Sequence, residues 1–345
     1  MKYTLAGILV FFLVGVSLLR AQDPAFSQYY AASLFLNPAL AGEEQNTKIT
    51  LNQRSNINQQ LYPYYLQQFS VITPVNLKRL KYVKNKNPHV GGIGFTAYQE
   101  LSGPEKSLNH IGTNISMAYY TRISGRQYLS FGLQVGIVQK KIDYSRFQWG
   151  SQFDPLVGHN QTILPSVSLL NERTNFPVFN AGLLWIFQPQ SIGNQHSVFD
   201  AFAGISTSNL NMPDQGFDDN SLSELPILYK THGGISWNLN RNVSLLPNFL
   251  FLYQNQETQF NFGTYLSYKT MDLRNRIQIG TWYRLHDSFI LALAFKTLNF
   301  QIAISYDFNV STFRTYNHGA GASEISLSYS FNKGKYNKSV SHPIM

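Results

Sequence analysis

Near the C-terminal end stand Arg284, His286, Asp287, Asp307 and Glu324, residue types that can move protons or bind ions. A histidine beside an aspartate is the minimum for general acid–base work, and a nucleophile added to it would make a hydrolase. No G-x-S-x-G segment or other nucleophile elbow accompanies the pair, which keeps hydrolysis a minor alternative. Hairpin register around residues 285–287 is expected to set Arg284 opposite Ser288, and the 310–321 loop to set Asp307 roughly opposite Glu324, two carboxylates that repel without a cation or a proton between them. Arg284, whose planar fork can bridge two carboxylates, is the evident cation. The cluster therefore reads either as an ion network that closes a structural seam or as a binding surface for a protein partner. Metal chemistry finds less support: the 8 histidines are scattered, H-E-x-x-H is absent, and there is no cysteine. The segment PDQGFDDN, with Asp214, Asp218 and Asp219, misses the D-x-[DN]-x-[DN]-G spacing of a Ca²⁺ loop and reads as a solvated acidic turn. No metal, no cofactor and no enzymatic activity are expected.

The elements that must position these groups are strands. In NFQIAISYDFN, residues 299–309, Phe300, Ile302, Ile304, Tyr306 and Phe308 share one parity while Gln301, Ala303, Ser305, Asp307 and Asn309 share the other. Fourteen such strands are expected, at 47–55, 64–73, 90–99, 109–121, 126–139, 177–188, 197–208, 227–239, 242–253, 257–269, 274–284, 288–297, 299–309 and 322–332. Most are longer than soluble-sheet strands and match the roughly 9–11 residues a tilted strand needs to cross a bilayer. The wet parity is dominated by Gly, Ala, Ser, Asn and Gln, too small and polar to pack a second hydrophobic layer, so the greasy parity is expected to face lipid. A composition of 13% charged and 14% aromatic residues suits interfacial girdles. The fold class is all-β: a transmembrane antiparallel barrel of fourteen strands. Short turns at 122–126, 240–241 and 297–298 fall on the inner side, and long segments at 140–176, 209–226 and 310–321 on the outer side. The long basic connection at 74–89, the short turn around His286, and the strand holding Pro247 fit this scheme least well.

The chain opens with Lys2 and an apolar run from Leu5 to Leu19, the form of a secretory signal peptide spanning 1–21 and cleaved after Ala21. Residues 22–46 would form a plug or a periplasmic-mouth segment, 47–332 the barrel, and 333–345 a basic tail. Phe26, Tyr29, Tyr30 and Leu34 have helical spacing that ends before Asn37-Pro38. The formal charge of +9 does not point to nucleic acid in an exported chain. The basic residues gather in one segment, at Lys78, Arg79, Lys81, Lys84 and Lys86, either a solvated loop or a docking surface for an acidic partner. GGIG, residues 91–94, lies within a strand and implies close packing against something in the lumen.

The N-terminal stretch QDPAFSQYYAASLFLNPALAG, carrying Asp23, Pro24, Phe26, Ser27, Gln28, Tyr29, Asn37, Pro38, Ala39 and Gly42, resembles the start of mature PorP/SprF proteins. That family comprises outer-membrane components of the type IX secretion system in Bacteroidetes. The likeness continues in WYRLHDS, ISYDFNVS and GASEISLSYSF. It implies a non-enzymatic barrel in the bacterial outer membrane, in contact with lipid, that supports protein secretion or gliding motility. Implied partners are other secretion-system proteins and, for some members, a secreted adhesin with a C-terminal sorting domain. A porin-like solute channel is the main alternative that the strand pattern leaves open.

Overall fold

Alternation of large apolar and small polar residues builds each strand, and closure of the sheet pairs the backbone groups that a bilayer could not hydrate. The computed structural model describes residues 26–56, 63–76, 89–147, 149–154, 158–160, 162–163, 172–188, 199–217, 222–270, 275–311 and 321–331. The basic residues Lys78, Arg79, Lys81, Lys84 and Lys86, residues 1–21 of the expected signal peptide, Asp23, Pro24 and the expected tail at 333–345 lie outside these.

The barrel strands are β1 (Thr47–Asn56), β2 (Tyr65–Asn76), β3 (His89–Ser102), β4 (Leu108–Ser124) and β5 (Gln127–Ile142). They continue, after two short strands β6 (Phe153–Asp154) and β7 (Gly158–His159) in an outer loop, with β8 (Arg173–Phe187), β9 (Phe199–Ser208), β10 (Leu228–Asn238) and β11 (Val243–Gln254). The last are β12 (Glu257–Lys269), β13 (Arg276–Arg284), β14 (Ser288–Lys296), β15 (Phe300–Asn309) and β16 (Ala322–Phe331). Each barrel strand pairs antiparallel with its neighbours, and β1 pairs with β16 to close a barrel of the fourteen strands expected from the alternation.

The greasy parity faces outward, as on β5, where Phe131, Leu133, Val135 and Ile137 are exposed and Ser130 and Gln134 are buried. Ring contacts form two outward girdles. Tyr229 with Tyr253, Phe260 with Phe249 and Phe262, and Tyr306 with Phe308 lie toward the outer strand ends. Trp185, Phe187 and Phe199, and Tyr329 with Phe331, lie at the inner ends. Among the described residues no helix is long and apolar enough to cross a membrane. Pro247 explains the irregular strand: the β10–β11 pairing skips Ile235 and Ser236 opposite Leu246 and Pro247, then resumes in the same register.

Candidate functional site

The lumen is occupied by the chain's own N-terminal segment. The helical spacing yields less helix than it suggests: a turn through residues 27–32, a four-residue helix Ser33–Leu36, and a 3₁₀ stretch Pro38–Gly42. Asn37 starts the 3₁₀ turn, its side chain accepting from the Ala39 N–H, while Pro38 supplies the preset first position. Nearly every residue from Phe26 to Gly42 is buried.

The barrel wall is shaped to receive it. Gly92, Ala118, Gly132, Gly182, Ser206 and Lys230 are successive cross-strand neighbours on β3, β4, β5, β8, β9 and β10. The plug backbone runs along this row. A Cβ on Gly92 would stand 1.9 Å from the Ala41 carbonyl oxygen, one on Gly132 2.2 Å from the Ala39 nitrogen, and one on Gly182 2.0 Å from Asn37 Oδ1. Ser206 Oγ then donates to the Leu36 carbonyl at 2.7 Å, and Lys230 Nζ to the Phe35 carbonyl at 2.6 Å. Buried backbone carbonyls thus find donors on the wall. Asn37 Nδ2 reaches the carbonyls of Leu183 and Ile205, at 3.0 and 3.3 Å.

Beside and beyond this row the wall is apolar, which the small, polar parity of the sequence did not announce. Inward-facing Leu184, Ile186, Leu250, Trp282 and Ile290 pack with Tyr29, Tyr30, Leu36 and Leu40 of the plug. Tyr30 stacks on Trp282 at 5.6 Å and shares a 2.6 Å hydrogen bond with Tyr265 Oη. Asn248 Oδ1 accepts from Tyr29 Oη and, at 2.8 Å, from Trp282 Nε1. This is why β11 looks apolar on both faces.

The charged cluster anchors the start of the plug near the outer end. Glu324 accepts the backbone N–H groups of Ser27 at 2.5 Å and Gln28 at 2.8 Å, one on each carboxylate oxygen. Asp307 Oδ2 accepts from Ser27 Oγ at 2.5 Å. The cation joining the two acids is Arg54, which sequence reasoning passed over: Nη1 lies 2.8 Å from Glu324 and Nη2 3.0 Å from Asp307. Arg284 reaches Asp307 at 3.3 Å and Asp287 at 2.7 Å, so it bridges a different pair from the one expected. It also donates to Ser27 Oγ. The hairpin register that sets Arg284 opposite Ser288 is observed. The register of the last hairpin differs from expectation, since Glu324 faces Ser305 instead of Asp307 and, across the closing seam, faces Arg54.

His286 sits at the tip of a tight turn with φ of 60°, and the Asp287 carboxylate beside it is engaged by Arg284 and Ser288. That geometry ties Oδ2 of the aspartate to the anchor. Asp214 is also structural. Its Oδ1 accepts the N–H groups of Gly216 and Ser223, each at 2.9 Å, clamping the outer β9–β10 loop. These two bonds hold its carboxyl below the ordinary carboxylate range. The clamp is therefore complete above that range and is lost as pH falls through the depressed folded-state value. Protection of the Gly216 and Ser223 amides, taken relative to their intrinsic exchange, should fall on acidification in the wild type, and in Asp214→Ala should be low and flat with pH. Asp218 and Asp219 lie outside the described residues.

A closed, lipid-facing barrel with its own N-terminal segment packed through the lumen defines a plugged outer-membrane protein. A family model described as type IX secretion system membrane protein PorP/SprF matches residues 18–329, and the chain belongs to that family. It is an outer-membrane barrel component of that secretion system. Among solved structures, the Ralstonia pickettii toluene transporter TbuX superposes with a TM-score of 0.50 at 9% identity, covering 88% of this chain and 94% of that one. The Pseudomonas putida toluene transporter TodX gives 0.47 at 10%, over 87% and 93%, and a Pseudomonas aeruginosa FadL homologue 0.45 at 11%, over 88% and 94%. At such identities the likeness to TbuX bears on fold alone. No curated relative matches the sequence.

Proposed function

We propose that this barrel supports export or surface attachment of a partner protein and does not serve as a porin-like solute channel or a hydrolase. The observation that carries the reading is the plug, whose backbone and side chains bond to the wall on both sides of the barrel. An open aqueous pore of the porin kind is not compatible with a lumen filled by buried hydrogen bonds and aromatic packing. A scaffold for secretion gains from one, because a rigid, sealed barrel presents its outer loops and inner rim without leaking solutes. The partners on this reading are other secretion-system proteins and a secreted adhesin recognised through its C-terminal sorting domain, with outer-membrane lipid around the wall.

Deletion of the gene should remove a particular adhesin from the cell surface, or reduce the wider secretome, while a copy lacking residues 26–42 should separate the barrel's scaffold role from its seal. An unchanged surface proteome in the deletion strain would sink the proposal.

A further inference from the structure

The outward parity of the barrel is apolar over most of its height, and on one face it ends in charge. On β5 that parity runs Leu129, Phe131, Leu133, Val135 and Ile137, then changes to Gln139 and Lys141. On β8 it runs from Phe179 and Pro177 to Asn175 and Arg173. The register sets Gln139 opposite Asn175 and Lys141 opposite Arg173. Among the described residues of the barrel strands, Lys141 and Arg173 are the only charged side chains on the outward parity at the outer ends. Directly opposed positions hold their Cβ atoms roughly 5 Å apart, so two like charges there destabilise the sheet unless an anion joins them.

The neighbouring charges are committed elsewhere. Lys106, in the β3–β4 loop, lies over the Tyr65 ring at 4.1 Å, and Arg146 pairs with Asp143 at 2.8 Å. Glu105, Asp154 and Glu172 complete the acids of the adjoining loops, and among the described residues neither Lys141 nor Arg173 has a side-chain partner. Amide side chains flank the two cations: Gln139 Nε2 donates to Asn175 Oδ1 at 2.9 Å, and Gln99 Nε2 to Asn109 Oδ1 at 3.2 Å. Asn109 is the other cross-strand neighbour of Lys141. Beneath the amides Ile111, Ile137 and Phe179 are exposed. This face is layered from the bilayer outward as apolar, amide and cationic.

We infer that Lys141 and Arg173 bind the phosphate of a phosphorylated glycolipid in the outer leaflet of the membrane. The layers match such a ligand from end to end: acyl chains against Ile111, Ile137 and Phe179, sugar hydroxyls at the amide pairs, and phosphate between the two cations. Arg173 offers the planar fork that takes phosphate bidentately, and Lys141 a point charge beside it. Outward parity at the water–lipid boundary sets both side chains among headgroups, and the apolar surface directly beneath them favours a lipid over a free anion. A phosphate in this position also removes the repulsion across the β5–β8 pair, so bound lipid stabilises the sheet where its outer strand ends are longest. The inference rests on the barrel's place in the outer membrane and is independent of what the barrel exports or attaches.

The test places the purified full-length barrel in phosphatidylcholine nanodiscs doped with bisphosphorylated lipid A or with its dephosphorylated form, and native mass spectrometry reads which lipid stays bound. The wild type should prefer the phosphorylated form by roughly tenfold. Lys141→Gln/Arg173→Gln should lose that preference, whereas Arg126→Gln/Arg241→Gln, which removes two cations from inner turns, should keep it. Lys141→Arg preserves the charge and should keep it too. Phosphorylated lipid A should raise the melting temperature of the wild type and leave that of Lys141→Gln/Arg173→Gln unmoved, a readout that also shows the variant to be folded. Inorganic phosphate in excess should displace no lipid. Equal retention of both lipid forms by the wild type, an undiminished preference in Lys141→Gln/Arg173→Gln, or displacement by inorganic phosphate would overturn the inference.

Discussion

Removing residues 26–42 should convert a barrel that is silent in planar bilayers into one that passes ions in discrete, long-lived steps. Barrels of about eight strands are filled by their own side chains, whereas those of sixteen to eighteen leave an aqueous channel. Fourteen strands fall between, leaving a bore wide enough for one folded segment, and here that segment is present. With it gone, the row from Gly92 to Gly182 becomes a smooth groove of missing side chains, and Trp282, Leu184, Ile186 and Leu250 face water. Each large side chain re-exposed costs about 1.5–3 kcal/mol, so the deletion should also lower thermal stability markedly. A subtler variant separates opening from truncation. In Gly132→Leu the new Cβ would collide with the Ala39 nitrogen and the C-terminal backbone of Pro38, and neither is a flexible side-chain end that can swing aside. This substitution should unseat the 3₁₀ stretch and give intermittent conductance with the plug still attached. Equal conductance from the intact chain and the deletion would return the solute channel to first place.

Much of this architecture could be read from parity. A membrane-crossing strand shows lipid one face and the lumen the other, so every second residue declares its side, and residues 129–137 of β5 and 324–331 of β16 do so cleanly. Closure and strand count follow from the same pattern. What parity cannot supply is height. Asp307 and Glu324 were expected to face each other because both lie on the wet parity beside the 310–321 loop, yet the pairing is displaced by two residues. A shift of two leaves every side chain on its proper face, so nothing in the alternation signals it. Arg54 was missed for a related reason. It sits on the wet parity of the first strand, and its neighbour Glu324 belongs to the last, a contact that exists only once the barrel closes. The sequence did hold that signal, since an arginine facing the lumen on the closing strand needs a carboxylate, and β16 offers one. The apolar lumenal wall was harder to see, because Leu246, Leu250 and Trp282 look like irregularities until Tyr29 and Tyr30 are known to lie against them. GGIG announced close packing and left the packed object unnamed; the structure shows it to be Leu34 and Ala41.

Substituting Arg54 should do more damage to plug seating than any other single charge change in the barrel. Arg54 lies between Asp307 and Glu324, whose side chains are 4% and 2% exposed, and it also donates to Ser27 Oγ at 2.5 Å. Arg54→Met leaves two buried carboxylates without the cation between them. Breaking a buried pair in this way typically costs about 3–5 kcal/mol, because the remaining charge has lost its compensation. Arg284→Met should cost less, since one of its two acids, Asp287, is half exposed and can be hydrated. Glu324 grips the Ser27 and Gln28 amides, so the loss should be visible there. Hydrogen exchange at those two positions should accelerate by roughly two to three orders of magnitude in Arg54→Met if opening of the plug's first turn absorbs the penalty. Adding Glu324→Gln to Arg54→Met should recover part of the protection, because the amide oxygen still accepts one of the two backbone N–H groups while one uncompensated charge disappears. That partial rescue separates an electrostatic anchor from simple loss of packing, in which the double variant would exchange at least as fast as the single one.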